Sequence, residues 1–272
     1  MLTDITLGQY FPGRSLLHRL DPRMKLVLTT LFIVLVFLPR NWLGMGAVLL
    51  FLAVVLGLSR LPVKLIWRSV RPVLLIIAFT SVLNIFYVTE GRVLVDWWIF
   101  RITTGGLTNA AFIALRILCL LAGSSLLTYT TTPTALTDAI ERLLSPLKVI
   151  KVNAHELAMM MTIALRFIPT LMEETDKIMS AQKARGADME SGGLLQRVRA
   201  LVPILIPLFV SSFRRAYELA MAMECRCYQG GEGRTRMKQL HTAPRDWLAL
   251  AVFIAVGAGM ILLNKLGGSI LP

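Results

Sequence analysis

Residues 42–58 read WLGMGAVLLFLAVVLGL, an apolar run without a charged side chain that ends at Ser59 and Arg60. About 20 apolar residues are enough for a helix to cross the hydrocarbon core of a membrane. Four further segments have the same character and reach a similar length with a few flanking residues: 26–38, 73–88, 107–129 and 247–263. The sequence therefore predicts an all-α, polytopic membrane protein with about five transmembrane helices.

The overall composition agrees with this prediction. Of the 272 residues, 56% are hydrophobic and only 17% are charged, and the mean hydropathy is +0.67. Soluble domains carry about 25% charged residues, which form their hydrated surface. The surface of this chain is thus expected to face lipid over much of its area.

The basic residues are unevenly distributed between the two sides of the predicted spans. If the N-terminus is cytoplasmic, most of the 29 Lys and Arg fall inside, in residues 14–25, 60–71 and 130–246. The basic residues left outside are Arg40, Arg92, Arg101 and Lys265. Positive charge accumulates on the cytoplasmic side of membrane proteins. We therefore predict a multi-pass protein of the cell (plasma) membrane with a cytoplasmic N-terminus; the net charge of +13 then needs no nucleic-acid partner.

The order of spans and basic segments predicts three parts. Residues 1–129 form an N-terminal membrane domain with four transmembrane helices, residues 130–245 form a cytoplasmic helical coupling domain, and residues 246–272 form a C-terminal transmembrane helix. Residues 1–9 lack the basic and apolar regions of a cleaved signal peptide, so none is expected.

Two further apolar runs lie in the predicted coupling domain, at residues 157–172 and 201–213. Arg166 and Pro169 interrupt the first run, and the second contains Pro203 and Pro207. We interpret both as parts of long helices whose apolar ends lie against the membrane-embedded part. The alternative is that they form a sixth and a seventh span.

Each of these long helices is predicted to end in an arginine between two small residues. The two triplets are Ala184, Arg185, Gly186 and Cys225, Arg226, Cys227. A guanidinium offers five donors in a planar fork that suits carboxylates or carbonyls in a groove, and small neighbours let another protein come close. The alternative is a pair of ordinary helix-terminal arginines, because cations are common at helix C-termini.

Residues for chemistry within the chain itself are not evident. The sequence has no Gly-x-x-x-x-Gly-Lys-Ser/Thr loop to hold the phosphates of a nucleotide. His18, His155 and His241 are scattered and show no metal-ligand spacing. We therefore predict a non-catalytic chain that binds no cofactor and no metal. Arg116 lies within a predicted span and either pairs with Asp138 or Glu141 or extends its side chain to the membrane surface.

Several motifs, in order along almost the whole chain, resemble those of the T component of energy-coupling factor (ECF) transporters, the EcfT family, in its shared group II type. They are GQY at residues 8–10, HRLDPRMKL at 18–26, TTPT at 131–134, LLSPL at 143–147 and ALRFIP at 164–169. The two arginine triplets are similar to the paired Ala-Arg-Gly-like motifs of that family. The second triplet departs from them, because cysteines flank Arg226 where the family more often has alanine or glycine.

The resemblance implies a coupling subunit of an ATP-driven importer for vitamins or other micronutrients. Two ABC-type ATPase subunits, expected as a heterodimer, would bind ATP and Mg²⁺ and accept the tips at Arg185 and Arg226. A substrate-capturing membrane subunit, the S component, would select the substrate. In the long helices, prolines permit bends and methionines adapt to different partners. We therefore expect contact with the S component at Met159, Met160, Ala164, Pro169, Pro203 and Pro207, although internal packing is an equal alternative for each methionine.

Two other functions are alternatives to this one. A polytopic membrane enzyme for lipid or isoprenoid substrates would need a cluster of carboxylates or histidines at one membrane face. A stand-alone secondary transporter would show repeats and charged or broken spans at the midplane. The sequence offers neither pattern. The transported substrate, and the number of S components that share this subunit, are not encoded in this chain.

Overall fold

The computed structural model describes residues 10–87, 92–97, 100–146, 154–187, 193–230 and 240–266. These residues belong to two compact units. One, here called the coupling unit, is built from Ile140–Gln239, and the other, the membrane unit, from Gly8–Ala139 and Leu240–Pro272. The three-part division at residues 129 and 245 stays a prediction. Residues 1–9, on which the expectation about a signal peptide rests, lie outside the described residues.

The described part of the chain is almost entirely helical. The helices are α1 Pro22–Phe37, α2 Trp42–Ser59, α3 Val63–Val70, α4 Leu74–Tyr87, α5 Thr104–Thr130, α6 Pro133–Leu144, α7 Ala154–Ala184, α8 Leu194–Glu224 and α9 Pro244–Leu266. A 3₁₀ turn, Arg71–Val73, joins α3 to α4. Two short strands, β1 Val93–Trp97 and β2 Phe100–Thr103, pair antiparallel between α4 and α5, with Trp97 opposite Phe100. This hairpin is not evident from the sequence.

Five helical segments of the described residues are long and apolar enough to cross a membrane. They are Trp42–Ser59, Val63–Tyr87, Thr104–Thr130, Arg199–Glu224 and Pro244–Lys265. Four of them match predicted spans, and the all-α, multi-pass membrane class is confirmed. The remaining segment, Arg199–Glu224, belongs to α8 of the coupling unit. Its length and hydropathy agree with the alternative of an additional span there.

The predicted first span corresponds to α1, which has only 16 residues. Hydrogen bonds nevertheless tie it to α9 at both ends. The Asp21 amide donates to Asp246 Oδ1 at 2.9 Å where both helices begin, and Asn264 Nδ2 donates to the Leu38 carbonyl at 2.7 Å where both end. The two helices therefore run parallel along the length of α1. We retain α1 as a transmembrane helix for this reason.

The predicted third span begins earlier than expected. Residues 60–71 are expected on the cytoplasmic side, outside the predicted span 73–88, whereas the structure is helical from Val63. Ile66 and Val70 are buried, and Arg68 lies on the same short helix between them. Apolar residues four positions apart form one face of a helix, so this basic segment continues the span as an amphipathic helix.

The core of the membrane unit lies where α1, α2, α5 and α9 meet. Its buried members include Phe32, Leu35, Val36, Val48, Leu52, Cys119, Leu126 and Met260. Gly123 of α5 faces the ring of Phe32, and a Cβ at that glycine would stand 2.0 Å from Phe32 Cε1. The close approach of α1 to α5 therefore requires glycine at this position.

Arg116 has neither of the partners that the sequence suggested. Its Nη2 donates to the carbonyl of Pro39 at 3.0 Å, and its guanidinium lies 5.0 Å from the ring centroid of Phe112 and 5.6 Å from that of Phe37. The prediction of a carboxylate partner is wrong, because α5 places this arginine beside the connection between α1 and α2. The cation is accommodated there by a backbone carbonyl and two aromatic faces.

The coupling unit is dominated by α7 and α8, each of 31 residues. The long helices expected here are confirmed, and they continue through Pro169, Pro203 and Pro207. Gln182 Nε2 donates to the Pro203 carbonyl at 3.2 Å, and Glu174 contacts Arg215 at 3.0 Å. The earlier residue of α7, Glu174, thus pairs with the later residue of α8, Arg215. The two helices therefore form an antiparallel hairpin.

Candidate functional site at the helix ends

The end of α7 is a Schellman motif. The amide of Ala187 donates to the Gln182 carbonyl at 3.0 Å, and the amide of Gly186 donates to the Lys183 carbonyl at 3.0 Å. Gly186 adopts φ +86°, a left-handed conformation that glycine takes without steric cost. Arg185 is the residue immediately before this turn, so its backbone is fixed while the residue itself is exposed.

The end of α8 has the same hydrogen-bond pattern. The amide of Tyr228 donates to the Met223 carbonyl at 3.1 Å, and the amide of Cys227 donates to the Glu224 carbonyl at 2.8 Å. The left-handed residue is Cys227, with φ +55°. Arg226 precedes it as Arg185 precedes Gly186. The two predicted triplets thus have one backbone geometry, although a cysteine replaces the glycine in the second.

All six residues of the two triplets are exposed: Ala184, Arg185, Gly186, Cys225, Arg226 and Cys227. Within the part of the chain that the structure describes, neither guanidinium has a hydrogen-bond or ion-pair partner in its own molecule. Both sets of donors are therefore available to another protein. This arrangement is what a docking residue requires, and an ordinary helix-terminal arginine satisfies it as well.

The two arginine tips lie far apart on the hairpin. Pro203 contacts α7 through Gln182, three residues before Arg185. Arg226 follows Pro203 by 23 residues in the sequence. At 1.5 Å per residue this part of α8 rises about 35 Å. Because that length is comparable to the diameter of a small domain, one groove cannot accommodate both tips, whereas two separate protein surfaces can.

A cluster of three side chains joins α7 to α8 between these ends. We call it the Glu174 brace, and it consists of Glu174, Ser211 and Arg215. The Ser211 hydroxyl donates to Glu174 Oε1, and Arg215 Nη2 donates to Glu174 Oε2 at 3.0 Å. The hydrogen bond from Ser211 lowers the pKa of the Glu174 carboxyl; desolvation opposes this shift, and Arg215 reinforces it. Glu174 therefore remains a carboxylate at neutral pH.

Sequence reasoning missed the brace. The signal that could have revealed the brace is that Glu174 lies on the α7 face that ends at Arg185, and Arg215 on the α8 face that ends at Arg226. Once the helices form an antiparallel hairpin, these two faces bring opposite charges together.

The predicted contact residues for the S component lie on the surface of the coupling unit. Met160, Ala164, Pro169, Pro203 and Pro207 are exposed, and Met159 is half-buried. A larger apolar surface on α8 accompanies them and was not predicted. Its exposed members include Leu205, Ile206, Phe209, Val210, Phe213 and Tyr217, with Phe209 64% exposed. Apolar patches of this extent mark contacts with proteins or lipid.

Comparison with known proteins identifies the family. A family model described as "cobalt transport protein" (CbiQ) matches residues 13–237. Three curated relatives carry the name "energy-coupling factor transporter transmembrane protein EcfT". The protein of Thermosediminibacter oceani is 55% identical over 94% of this chain and 95% of its own. The protein of Ruminiclostridium cellulolyticum is 51% identical over 97% of this chain and 98% of its own. The protein of Bacillus subtilis is 47% identical over 97% of this chain and 100% of its own. The chain therefore belongs to the CbiQ/EcfT family, as a transmembrane component of an energy-coupling factor transporter.

Proposed function

We propose that this chain couples two cytoplasmic ATPase subunits to a substrate-capturing S component. ATP and Mg²⁺ are bound by the ATPases, and the chain itself binds no cofactor. Motion of the ATPase pair passes through α7 and α8 to the S component, which releases its vitamin or other micronutrient into the cell. In this arrangement the N-terminus and the coupling unit are cytoplasmic, in agreement with the distribution of basic residues.

One observation carries the proposal: two exposed arginines occupy the same position in two helix ends of the same geometry. Schellman motifs fix the backbone at each tip, so each guanidinium is presented on a rigid support. The axial distance of about 35 Å between the ends suits two partners. The tips share their geometry but differ in their flanking residues, which supports two similar, non-identical ATPases.

The apolar surface of the coupling unit supports the second half of the proposal. Exposed side chains such as Phe209, Phe213 and Met160 need an apolar partner. We assign this surface, with Met159, Ala164, Pro169, Pro203 and Pro207, to the S component and the surrounding lipid. The unbroken length of α7 and α8 gives a stiff connection between this surface and the arginine tips.

The test replaces Arg185 and Arg226 by alanine, singly and together. The protein is purified in detergent from membranes of its own host, and copurifying ATPases are quantified. Truncation of one member of a buried charge pair costs about 2–5 kcal/mol. We therefore expect each single variant to weaken ATPase binding by more than tenfold and the double variant to abolish it.

Arg214→Ala is the matched control, because this arginine is exposed on α8 but lies away from the tip. It should copurify with the ATPases as the unaltered chain does. Undiminished copurification of the Arg185→Ala/Arg226→Ala variant would refute docking through the tips. An unaltered chain that purifies without any ATPase would refute the proposed function as a whole.

A further inference from the structure

The beginning of α1 contacts two distant parts of the membrane unit. Lys25 Nζ donates to the carbonyl of Thr130, the last residue of α5, at 2.9 Å. The amide of Asp21 donates to Asp246 Oδ1 near the start of α9 at 2.9 Å. These contacts join residues separated by 105 and 225 positions in the sequence.

Arg23 adds a third contact of the same kind. Its Nη2 donates to the carbonyl of Leu240 at 3.3 Å, across 217 positions of sequence. We call Asp21, Arg23 and Lys25 together the N-terminal clasp. They lie in the HRLDPRMKL segment, residues 18–26, which the docking of ATPases and the S component does not explain.

The clasp binds beside both connections between the two units. The chain leaves the membrane unit after Ala139 and returns to it at Leu240. Thr130 lies shortly before the departure, and Leu240 is the point of return. The chain itself transmits motion of the coupling unit to α5 and α9 at these two connections. The clasp residues, at the start of α1, thus contact the membrane unit near each of the two connections.

The clasp is buried and charged. Asp246 is 1% exposed, and Asp21 and Lys25 are 6% and 7% exposed. Lys25 Nζ also donates to the His18 carbonyl at 3.4 Å, and the second oxygen of Asp246 accepts from the Ala243 amide at 2.7 Å. A buried charged group is costly unless hydrogen bonds compensate its lost hydration. Separation of these helix ends would break the bond from Lys25 to the Thr130 carbonyl and the bond from the Asp21 amide to Asp246, so the clasp resists a change in their spacing.

We propose that Asp21, Arg23 and Lys25 are positioning residues of the transporter. They keep the end of α5 and the start of α9 at a fixed spacing, so that both helices receive the motion of the coupling unit together. This inference rests on the proposed function, because it assumes that ATPases move the coupling unit. It adds that the membrane unit receives this motion as one body.

The test measures the distance between two spin labels in the complete transporter complex. The labels are carried on unnatural amino acids at Thr128 and Arg245, exposed positions near the end of α5 and the start of α9, so the native thiols stay unaltered. Distances are recorded by pulsed electron paramagnetic resonance without nucleotide and with AMP-PNP. The clasp variants are Lys25→Met and Arg23→Gln, and the control is Arg14→Gln, an exposed arginine of the same segment.

In the unaltered chain and the control, the distance should be the same with and without AMP-PNP. In the clasp variants, AMP-PNP should shift or broaden it, which a loss of stability alone would not produce. Arg23→Gln leaves the buried Lys25 and its hydrogen bonds in place, so it serves if Lys25→Met does not fold.

The clasp would be refuted if the clasp variants gave the same label distance with and without AMP-PNP. It would also be refuted if AMP-PNP changed the distance in the unaltered chain as much as in the variants. The ATPase content of the unaltered complex is measured in parallel. If that complex contains no ATPases, the proposed function is refuted and the clasp with it. If it contains them, unchanged distances in the clasp variants refute the clasp alone.

Discussion

Replacement of Glu174 by Gln tests the brace between α7 and α8 while keeping its shape. Gln retains a carbonyl that accepts from Ser211, but its amide group faces the donors of Arg215. The ion pair is partly exposed, so its loss costs about 0.5–1 kcal/mol. The bond from Ser211 also changes from a charged to a neutral acceptor, which costs about 1 kcal/mol more. We expect Glu174→Gln to destabilise the protein by about 1–2 kcal/mol.

The assay is a double-mutant cycle of Glu174→Gln and Arg215→Met, with unfolding followed in mixed micelles of increasing SDS content. The coupling free energy between the two positions should be about 0.5–1 kcal/mol in favour of the intact pair. Glu173→Gln is the control, because this neighbour is exposed and should change stability by less than about 0.5 kcal/mol. A coupling energy of zero, with both single variants as stable as the control, would refute the brace.

The brace also predicts a pH dependence with a definite sign. Because the pKa of Glu174 is lower in the folded protein than in the unfolded chain, its contribution is fully present above the unfolded pKa. It is lost as the pH falls through the lower, folded pKa. The stability difference between the unaltered chain and Glu174→Gln should therefore shrink in acid and be constant at neutral pH. A difference that grows on acidification would contradict the assignment.

Two further predictions concern stability and use the same unfolding measurement. At the helix ends, Gly186→Ala should destabilise the protein by about 1 kcal/mol because alanine is strained at φ +86°. Cys227→Gly should relieve strain at φ +55° and stabilise it by about 0.5 kcal/mol. Stability changes of the same sign in the two variants would contradict the shared geometry. In the membrane unit, Gly123→Ala should cost about 1–3 kcal/mol because its Cβ would overlap Phe32, while Gly57→Ala, with open space around it, should be neutral or stabilising.

The local features of the fold could be predicted from the sequence. An uncharged run such as residues 42–58 leaves no alternative to a membrane helix, and an arginine followed by glycine, as at Arg185, indicates a helix end. The position of the helix end at Cys227 could be predicted by analogy with the end at Gly186. Its geometry could not, because cysteine does not normally indicate a left-handed turn.

The long-range features could not be predicted from the sequence. The brace joins residues 41 positions apart, and Asp21 meets Asp246 across 225 positions. Such pairs depend on how helices pack, and one sequence contains no direct signal for that. For the same reason the sequence leaves two alternatives for Arg116, a carboxylate partner or the membrane surface, whereas packing places it against the carbonyl of Pro39.

The native thiols offer the most direct measurement of docking. Cys225 and Cys227 are exposed and flank Arg226, whereas Cys119 is buried. Maleimide labelling of these thiols, quantified by mass spectrometry, is compared between the isolated chain and the complex with its ATPases. If Arg226 lies in a groove of an ATPase, both thiols should be labelled rapidly in the isolated chain and protected in the complex. Equal labelling rates in the two samples, with the ATPases demonstrably bound, would contradict the docking of this tip.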